Sequence, residues 1–412
     1  MSNRVQYLFF DMNSYFASVA QAEEPRLMGR PVGVLTTDAP NAACIASSIE
    51  AKRMGVRMGT RQAEARLLCP DIVFRPVKHD VCVRYHHAIK QAVETIIPIH
   101  KTFSVDEFSC LLLGSQQELS KAKVLGRALQ AVILQRVHPA LRCSVGLGAT
   151  RLLGKIAAEL EKPAGLNWLL PQEMPEKIAH LSLNDMPGIS SRMKVRLEQA
   201  GIYTVAQLYN LDPKKARAIW GSVMGERFIR ELRGETVVWP ETQRGMFGHG
   251  QILNGKNTTP DGARLVARRL LVKAAARLRR ENFCTSFLHI GVKCEVLGRQ
   301  SQEGKIKIGQ DTLFLLNTFE RYWRRFKLAK VVGVDVWLGG LVPVQNAMAD
   351  LFEEQSPADK SQREALCAKI DLLNRRFGQD TVRFGQLPYL KVPYTGAKIA
   401  FGRIPVWEDF TE

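Results

Sequence analysis

The chain has 412 residues, 46% of them hydrophobic and 24% charged; this excludes wholesale disorder and exceeds one ordinary core, so two to four domains are expected. Lys and Arg outnumber Asp and Glu by 58 to 40, and the formal charge of +18 favours a polyanionic partner, nucleic acid ahead of an anionic membrane surface. The early apolar run Tyr7 to Phe10 is too short for a signal-peptide core or a membrane span, and eight Cys without C-x-x-C spacing fit reduced thiols, so a cytoplasmic protein with no membrane partner is expected.

Residues 5–10 read as a buried strand and Ser14 to Ala22 as the start of a helix, which leaves Asp11 at the strand end. Residues 21–77, punctuated by Pro31, Gly33, Gly55, Gly59 and Pro70, read as an inserted subdomain. A helix from Asp80 to Ile96 follows. Cys82 and His86 lie four apart in it, near His79 and His87, but no second ligand pair has matching spacing, which argues against zinc. Lys101 to Val105, Asp106-Glu107 and Phe108 to Leu113 then look like a hairpin. Adjacent strand residues point to opposite faces, so these two neighbouring acids can serve one site only at a turn or bulge. A strand at Leu141 to Leu147 and a helix from Arg151 to Glu161, ending at Lys162-Pro163-Ala164-Gly165, complete a split βαβ pattern with helices on one face.

Residues 166–233 are helical, with a tight turn at Met186-Pro187-Gly188-Ile189 between two short amphipathic helices, and the polar stretch to Arg244 is a linker. Residues 244–343 hold 18 Lys and Arg against 7 Asp and Glu, so most of the excess charge sits in one late domain. Within it, Gly304-Lys305-Ile306-Lys307-Ile308-Gly309 alternates, so one sheet face carries Lys305 and Lys307 and is the expected phosphate track. Arg268, Arg269, Lys273, Arg277, Arg279 and Arg280 flank an inward stripe of Ala267, Leu271, Ala274 and Leu278 and are read mainly as a solvated helix face. Residues 344–412 form a Pro- and Gly-dotted tail with one amphipathic helix marked by Leu366, Ile370, Leu373 and Phe377.

Asp11, Asp106 and Glu107 are the candidate catalytic residues. Unpaired carboxylates about 4 Å apart repel by roughly 4 kcal/mol per pair at an effective dielectric of 20, so a converging cluster implies bound cations. All-oxygen ligation selects Mg2+, with Mn2+ as the alternative, over zinc. Two such ions can clamp the attacking and leaving oxygens of a phosphoryl transfer. From pattern alone a plainer reading stays open, with Asp11 a helix cap and Asp106-Glu107 a solvated turn.

Five ordered motifs shift that balance. Phe9-Phe10-Asp11-Met12-Asn13-Ser14-Tyr15-Phe16-Ala17-Ser18-Val19 resembles the first motif of the Y-family translesion DNA polymerases, and Ser104-Val105-Asp106-Glu107 their second. Glu50 to Arg57 is similar to the fingers motif, Ser144-Val145-Gly146 through Gly165 to the closing segment of the palm, and Pro187-Gly188-Ile189 to the thumb helix-hairpin-helix. The resemblance implies an α+β multidomain, right-hand-like polymerase: a ferredoxin-like palm (1–20 and 78–165), small fingers (21–77), a helical thumb (166–233), a linker (234–243), a βαββαβ-like little finger (244–343) and a tail (344–412). It implies template-directed, low-fidelity DNA synthesis from dNTP on primer-template DNA.

Residue by residue, it implies that Asp11, Asp106, Glu107 and the Met12 carbonyl hold two Mg2+ ions. Tyr15, Phe16, Lys52 and Lys162 would line the nucleotide, with Phe16 as a steric gate against the ribose 2′-hydroxyl and Lys162 on the triphosphate. Gly188, in a turn offering backbone N–H groups to a phosphate, would bind DNA with Lys305 and Lys307. Met348-Ala349-Asp350-Leu351-Phe352 is similar to the sliding-clamp peptide of bacterial polymerases, with Leu351 and Phe352 as the anchors and Met where Gln is expected. Two departures bear on catalysis. Ile49 and Lys52 replace the usual Tyr and Arg of the triphosphate clamp, losing a hydrogen bond and a bidentate fork, and Asn13 replaces a frequent Asp. These departures motivate the alternative of a weak or inactive accessory protein that binds DNA and the clamp and recruits another polymerase; a generic DNA-binding repair factor is the third reading.

Overall fold

The apolar run from Tyr7 onward is buried almost throughout, as a strand flanked on both sides must be, and β1 (Tyr7–Met12) is the central strand of a five-stranded sheet. The computed structural model describes residues 4–36, 42–240, 243–347, 357–378, 381–385 and 404. They fall into two units, Met1–Trp239 with Ala397–Trp407, and Pro240–Gly396 with Glu408–Glu412.

In the first unit the chain leaves β1 through Ser14, whose φ of 52° turns it sharply into α1 (Tyr15–Glu23). Next come β2 (Val32–Leu35), β3 (Cys44–Ser47), α2 (Ile49–Arg53), α3 (Gln62–Leu68) and β4 (Val73–Pro76). Their three-stranded sheet, in the order β3-β2-β4, has a small core of its own that includes Leu35, Ala51, Val56 and Ile72. The chain then returns to the first sheet with α4 (His79–Glu94), β5 (Lys101–Thr102), β6 (Glu107–Leu111), α5 (Leu119–Arg136), β7 (Cys143–Gly148), α6 (Arg151–Leu160) and β8 (Leu166–Leu169). The strand order is β5-β6-β1-β7-β8, with β1 antiparallel to both neighbours. Two glycines let α6 lie directly on β7: a Cβ on Gly146 would stand 2.0 Å from the Gly154 carbonyl oxygen, and one on Gly148 2.5 Å from the Gly154 nitrogen.

The helical segment contains α7 (Ser191–Gln199), α8 (Val205–Asn210), α9 (Pro213–Trp220) and α10 (Val223–Leu232) around Leu197, Leu208, Ile229 and Leu232. The turn at 186–189 differs from expectation on one side. A single 3-10 turn, Leu183–Asp185, precedes it instead of a helix, because Ser182 and Asp185 cap each other and Pro187 cannot continue a helical ladder. Gly188 takes φ 88°, a region costly for any side chain. The linker is anchored midway, since the Trp239 indole donates to Glu231 Oε1 at 3.1 Å and carries Arg151 over its ring.

The second unit runs β9 (Phe247–Ile252), α11 (Pro260–Arg280), β10 (Phe283–Cys294), β11 (Gly298–Gly309), α12 (Thr312–Trp323) and β12 (Val331–Gly339), then the short β13 (Val342–Pro343). This is a βαββαβ order with antiparallel pairing β11-β10-β12-β9. The stripe Leu271, Ala274 and Leu278 on α11, with Leu315 and Phe319 on α12, is buried with Leu288, Ile290 and Val336 of the sheet.

One expectation is corrected here. Part of the arginine face of α11 is engaged inside the unit: Arg264 and Arg268 both pair with Glu320, and Arg279 forks onto Asp371 at 2.6 and 2.9 Å. The Arg279–Asp371 pair also bears on how α13 (Pro357–Phe377) faces its unit. Three of its four stripe residues are open, with Leu366 48%, Leu373 40% and Phe377 62% exposed and Ile370 half-buried, while Cys367 is buried and Asp371 meets Arg279. Arg363 lies 3.4 Å from Asp311, and together the two ion pairs orient the helix against its hydrophobic pattern. Among the described residues no helix is long and apolar enough to cross a membrane.

Candidate active site

Asp11 stands one residue from the end of β1, where its Cα partners are Glu107 on β6 and Ser144 on β7. The Met12 amide donates to the Asp106 carbonyl at 2.9 Å, so Asp106 is held beside the same strand end. The two neighbouring acids sit at a turn, as two side chains serving one edge require. Both Phe103 and Ser104 donate their amides to the Glu107 carbonyl, which leaves Asp106 outside the strand and makes Glu107 its first residue. The Ser104 hydroxyl donates to Asp106 Oδ1.

Two lysines complete the arrangement. Lys155 on α6 places Nζ 2.7 and 2.8 Å from the Glu107 carboxylate oxygens. Lys162, just past the end of α6, places Nζ 3.0 Å from Asp11 Oδ1 and 2.7 Å from Glu159 Oε1. Burial, with Glu159 and Asp106 adding to it against Lys162, lifts the Asp11 carboxyl to about 7. Burial likewise raises Asp106, with Glu107 adding to it. Burial works against the Lys162 ammonium, but Asp11 and Glu159 outweigh it and its pKa rises.

The site thus concentrates desolvated carboxylates whose charge is balanced by ammonium groups. Among the described residues no three His, Cys, Asp or Glu side chains are already gathered around one cation position. The donor set is carboxylate oxygen with a backbone carbonyl at Met12, a hard set, and the ammonium groups on Asp11 and Glu107 mark where positive charge is favourable.

The other sequence candidates separate. Lys52 on α2 lies within electrostatic reach of Asp11, Glu159 and Lys162; its ammonium is lowered by desolvation first and by Lys162 second. Phe16 is half-buried, bridging the cores of the two sheets, with Tyr15 and His79 edge-on to its ring. The Tyr15 ring is part of the framework: it is 2% exposed and its hydroxyl donates to the Cys82 carbonyl. His86 engages the Val105 carbonyl through Nδ1 at 2.8 Å and stacks on Phe108, and burial lowers its pKa to about 4. In the second unit Lys305 and Lys307 are exposed on the edge strand β11, with Ile306 and Ile308 partly buried between them. They line a groove of about 410 Å³ with Arg321 and Tyr322 of α12 and Arg325 just past its end. Leu351 and Phe352 lie outside the described residues.

Pattern reading left Lys155 and Glu159 without roles and did not use Asn13 as part of the site. The signal for the first two was present: Lys155, Glu159 and Lys162 recur at intervals of four and three, one stripe along a helix. Asn13 carries no such signal, because its partners are 131 and 151 positions away.

Known proteins resemble this arrangement at several levels. The sequence profile of the impB/mucB/samB family matches residues 10–159. The chain is 29% identical over 416 residues to a DNA polymerase IV of Moorella thermoacetica, covering 98% of this chain and 99% of that protein. It is 30% identical over 251 residues to a DNA polymerase IV of Alkalilimnicola ehrlichii, covering 60% of this chain and 69% of that one. Among solved structures, a "Y-family DNA polymerase chimera Dbh-Dpo4(243-245)-Dbh" superposes with a TM-score of 0.68 at 19% identity, covering 82% of this chain and 99% of the other.

Proposed function

The chain belongs to the Y-family of DNA polymerases and is a DNA-directed DNA polymerase, and from that premise we propose that it carries out low-fidelity synthesis across damaged templates at Asp11, Asp106 and Glu107. The observation that carries this reading is the pairing of Asp11 with Glu107 across adjacent strand ends, with Asp106 held next to both. Asp11, Asp106, Glu107 and the Met12 carbonyl would hold divalent cations, Mg2+ by their oxygen chemistry. When bound, such ions lower the pKa of an attacking hydroxyl and neutralise a departing pyrophosphate.

The protein's own residues supply positioning and charge. Lys162 brings an ammonium to the mouth of the site for the triphosphate, and Lys52 adds a second charge from α2, in part replacing the clamp lost with Ile49. Phe16 presents a ring edge beside the sugar position and excludes a 2′-hydroxyl. Gly188 frees backbone N–H groups for a phosphate, and Lys305 and Lys307 follow the DNA backbone by contacts blind to sequence. The tail residues Leu351 and Phe352 would engage a sliding clamp.

Primer extension with purified protein, primed template, dNTPs and Mg2+ tests this reading. Asp106→Asn and Glu107→Gln abolish extension while duplex binding persists; extension by either at the wild-type rate refutes the assignment. An accessory protein without chemistry, the reading that Ile49 and Lys52 favour, predicts no extension by the wild type.

A further inference from the structure

Lys162 reaches Asp11 from a turn closed by a single backbone hydrogen bond, Gly165 N–H to the Glu161 carbonyl at 3.1 Å, so side chains must do much of the work of holding it. The structure supplies three buried or half-buried polar side chains converging on it from separate elements. Asn13, 4% exposed at the end of β1, accepts the Ala164 amide on Oδ1 at 2.8 Å and donates through Nδ2 to Ser144 Oγ at 3.1 Å. Ser144 Oγ in turn lies 3.3 Å from the Glu161 carbonyl. From the other side, Gln130 Nε2 on α5 donates to the Ala164 and Gly165 carbonyls at 3.1 and 3.0 Å. Gly165 can be nothing larger, since a Cβ there would stand 2.0 Å from the Glu161 carbonyl oxygen.

We propose that Asn13 is a positioning residue for nucleotide binding: its buried amide clamps the loop of residues 161–165 so that Lys162 stands beside Asp11 before the triphosphate arrives. This rests on the proposed phosphate role of Lys162. The amide is suited to the task because it both accepts and donates, satisfying Ala164 N–H and Ser144 Oγ at once without adding a fourth charge beside Asp11. Removing it leaves the half-buried Ala164 amide without its side-chain partner and frees the loop to carry Lys162 away.

The test uses the full-length protein in steady-state single-nucleotide insertion, with amide hydrogen exchange as a second readout. Asn13→Ala raises KM for every dNTP by about tenfold with a smaller change in kcat, the same pattern as Lys162→Ala. The double variant is no worse than Lys162→Ala alone, because the effect of Asn13 passes through that lysine. Exchange at the Ala164 amide accelerates by about tenfold or more in Asn13→Ala. Asn13→Asp, which keeps the acceptor for the Ala164 amide, leaves exchange at that amide near wild type. If Asn13→Ala folds poorly, Gln130→Ala loosens the same loop from α5 and shifts KM in the same direction. Effects that multiply in the double variant, or an unchanged KM, overturn the proposal. A raised KM with unchanged exchange at Ala164 overturns the clamp itself. Failure of the underlying reading looks different: Lys162→Ala would then leave KM unaltered, or Asp106→Asn would still extend primers, whatever the exchange at Ala164.

Discussion

Lys155 grips Glu107 with both carboxylate oxygens within 2.8 Å of its ammonium, although 48 positions separate the two residues. Glu107 begins β6 and Lys155 lies midway along α6, so the contact exists only because that helix rests on Gly146 and Gly148 of the intervening strand.

Lys155→Met therefore leaves Glu107 without its orienting partner. Primer extension should fall by about tenfold, the value of a charge-assisted pair that is partly solvated, with duplex affinity unchanged. Extension at the wild-type rate in a steady-state assay would mean that the pair is dispensable once substrate is bound.

Phe16→Ala should open the sugar position. Discrimination between deoxy- and ribonucleotides drops by roughly 10- to 100-fold in competing single-nucleotide insertions, because a steric exclusion and not a hydrogen bond is lost. Some stability goes with it, since the ring bridges two cores. Unaltered discrimination removes the gate role.

His86 makes stability pH-dependent in a defined direction. Its folded pKa of about 4 lies below the usual 6.5, so the native state binds fewer protons than the unfolded chain between these values. The stabilisation is fully present above pH 6.5 and is lost as pH falls through 4. Urea unfolding at pH 7 and pH 4.5 should show the wild type losing about 2 to 3 kcal/mol more than His86→Gln, which cannot titrate. Parallel losses in the two proteins would contradict this.

Asp371→Asn should release α13. The fork from Arg279 is nearly buried, with side-chain exposures of 7% and 14%, and stripping one partner leaves an uncompensated charge costing about 3 to 5 kcal/mol. Limited proteolysis should cut near residues 357–385 far faster than in the wild type. The double variant Arg279→Met, Asp371→Leu should recover protection, and a single variant as resistant as the wild type would show that the helix is held by other contacts.

Much of the fold was readable before any coordinates. Asp11 at a strand end, the hairpin carrying Asp106-Glu107, the alternation of Lys305 to Ile308 and the inward stripe of α11 all follow from local periodicity, which records the face each side chain must take. The orientation of α13 was not legible in its residues for an instructive reason. Its hydrophobic spacing is real, but two ion pairs, to Arg279 and Asp311, outweighed it, and ion pairs between distant residues leave no period in the sequence.

The order of residues by itself determined the alternation of strands and helices, the excess of positive charge and the presence of three acids at places where a chain turns. Which cation meets which acid, and which amide ties down the loop of residues 161–165, was decided only on folding. Such choices depend on how closely two layers approach, and here that distance is set by missing side chains at Gly146 and Gly148, whose neighbours belong to the helix above them.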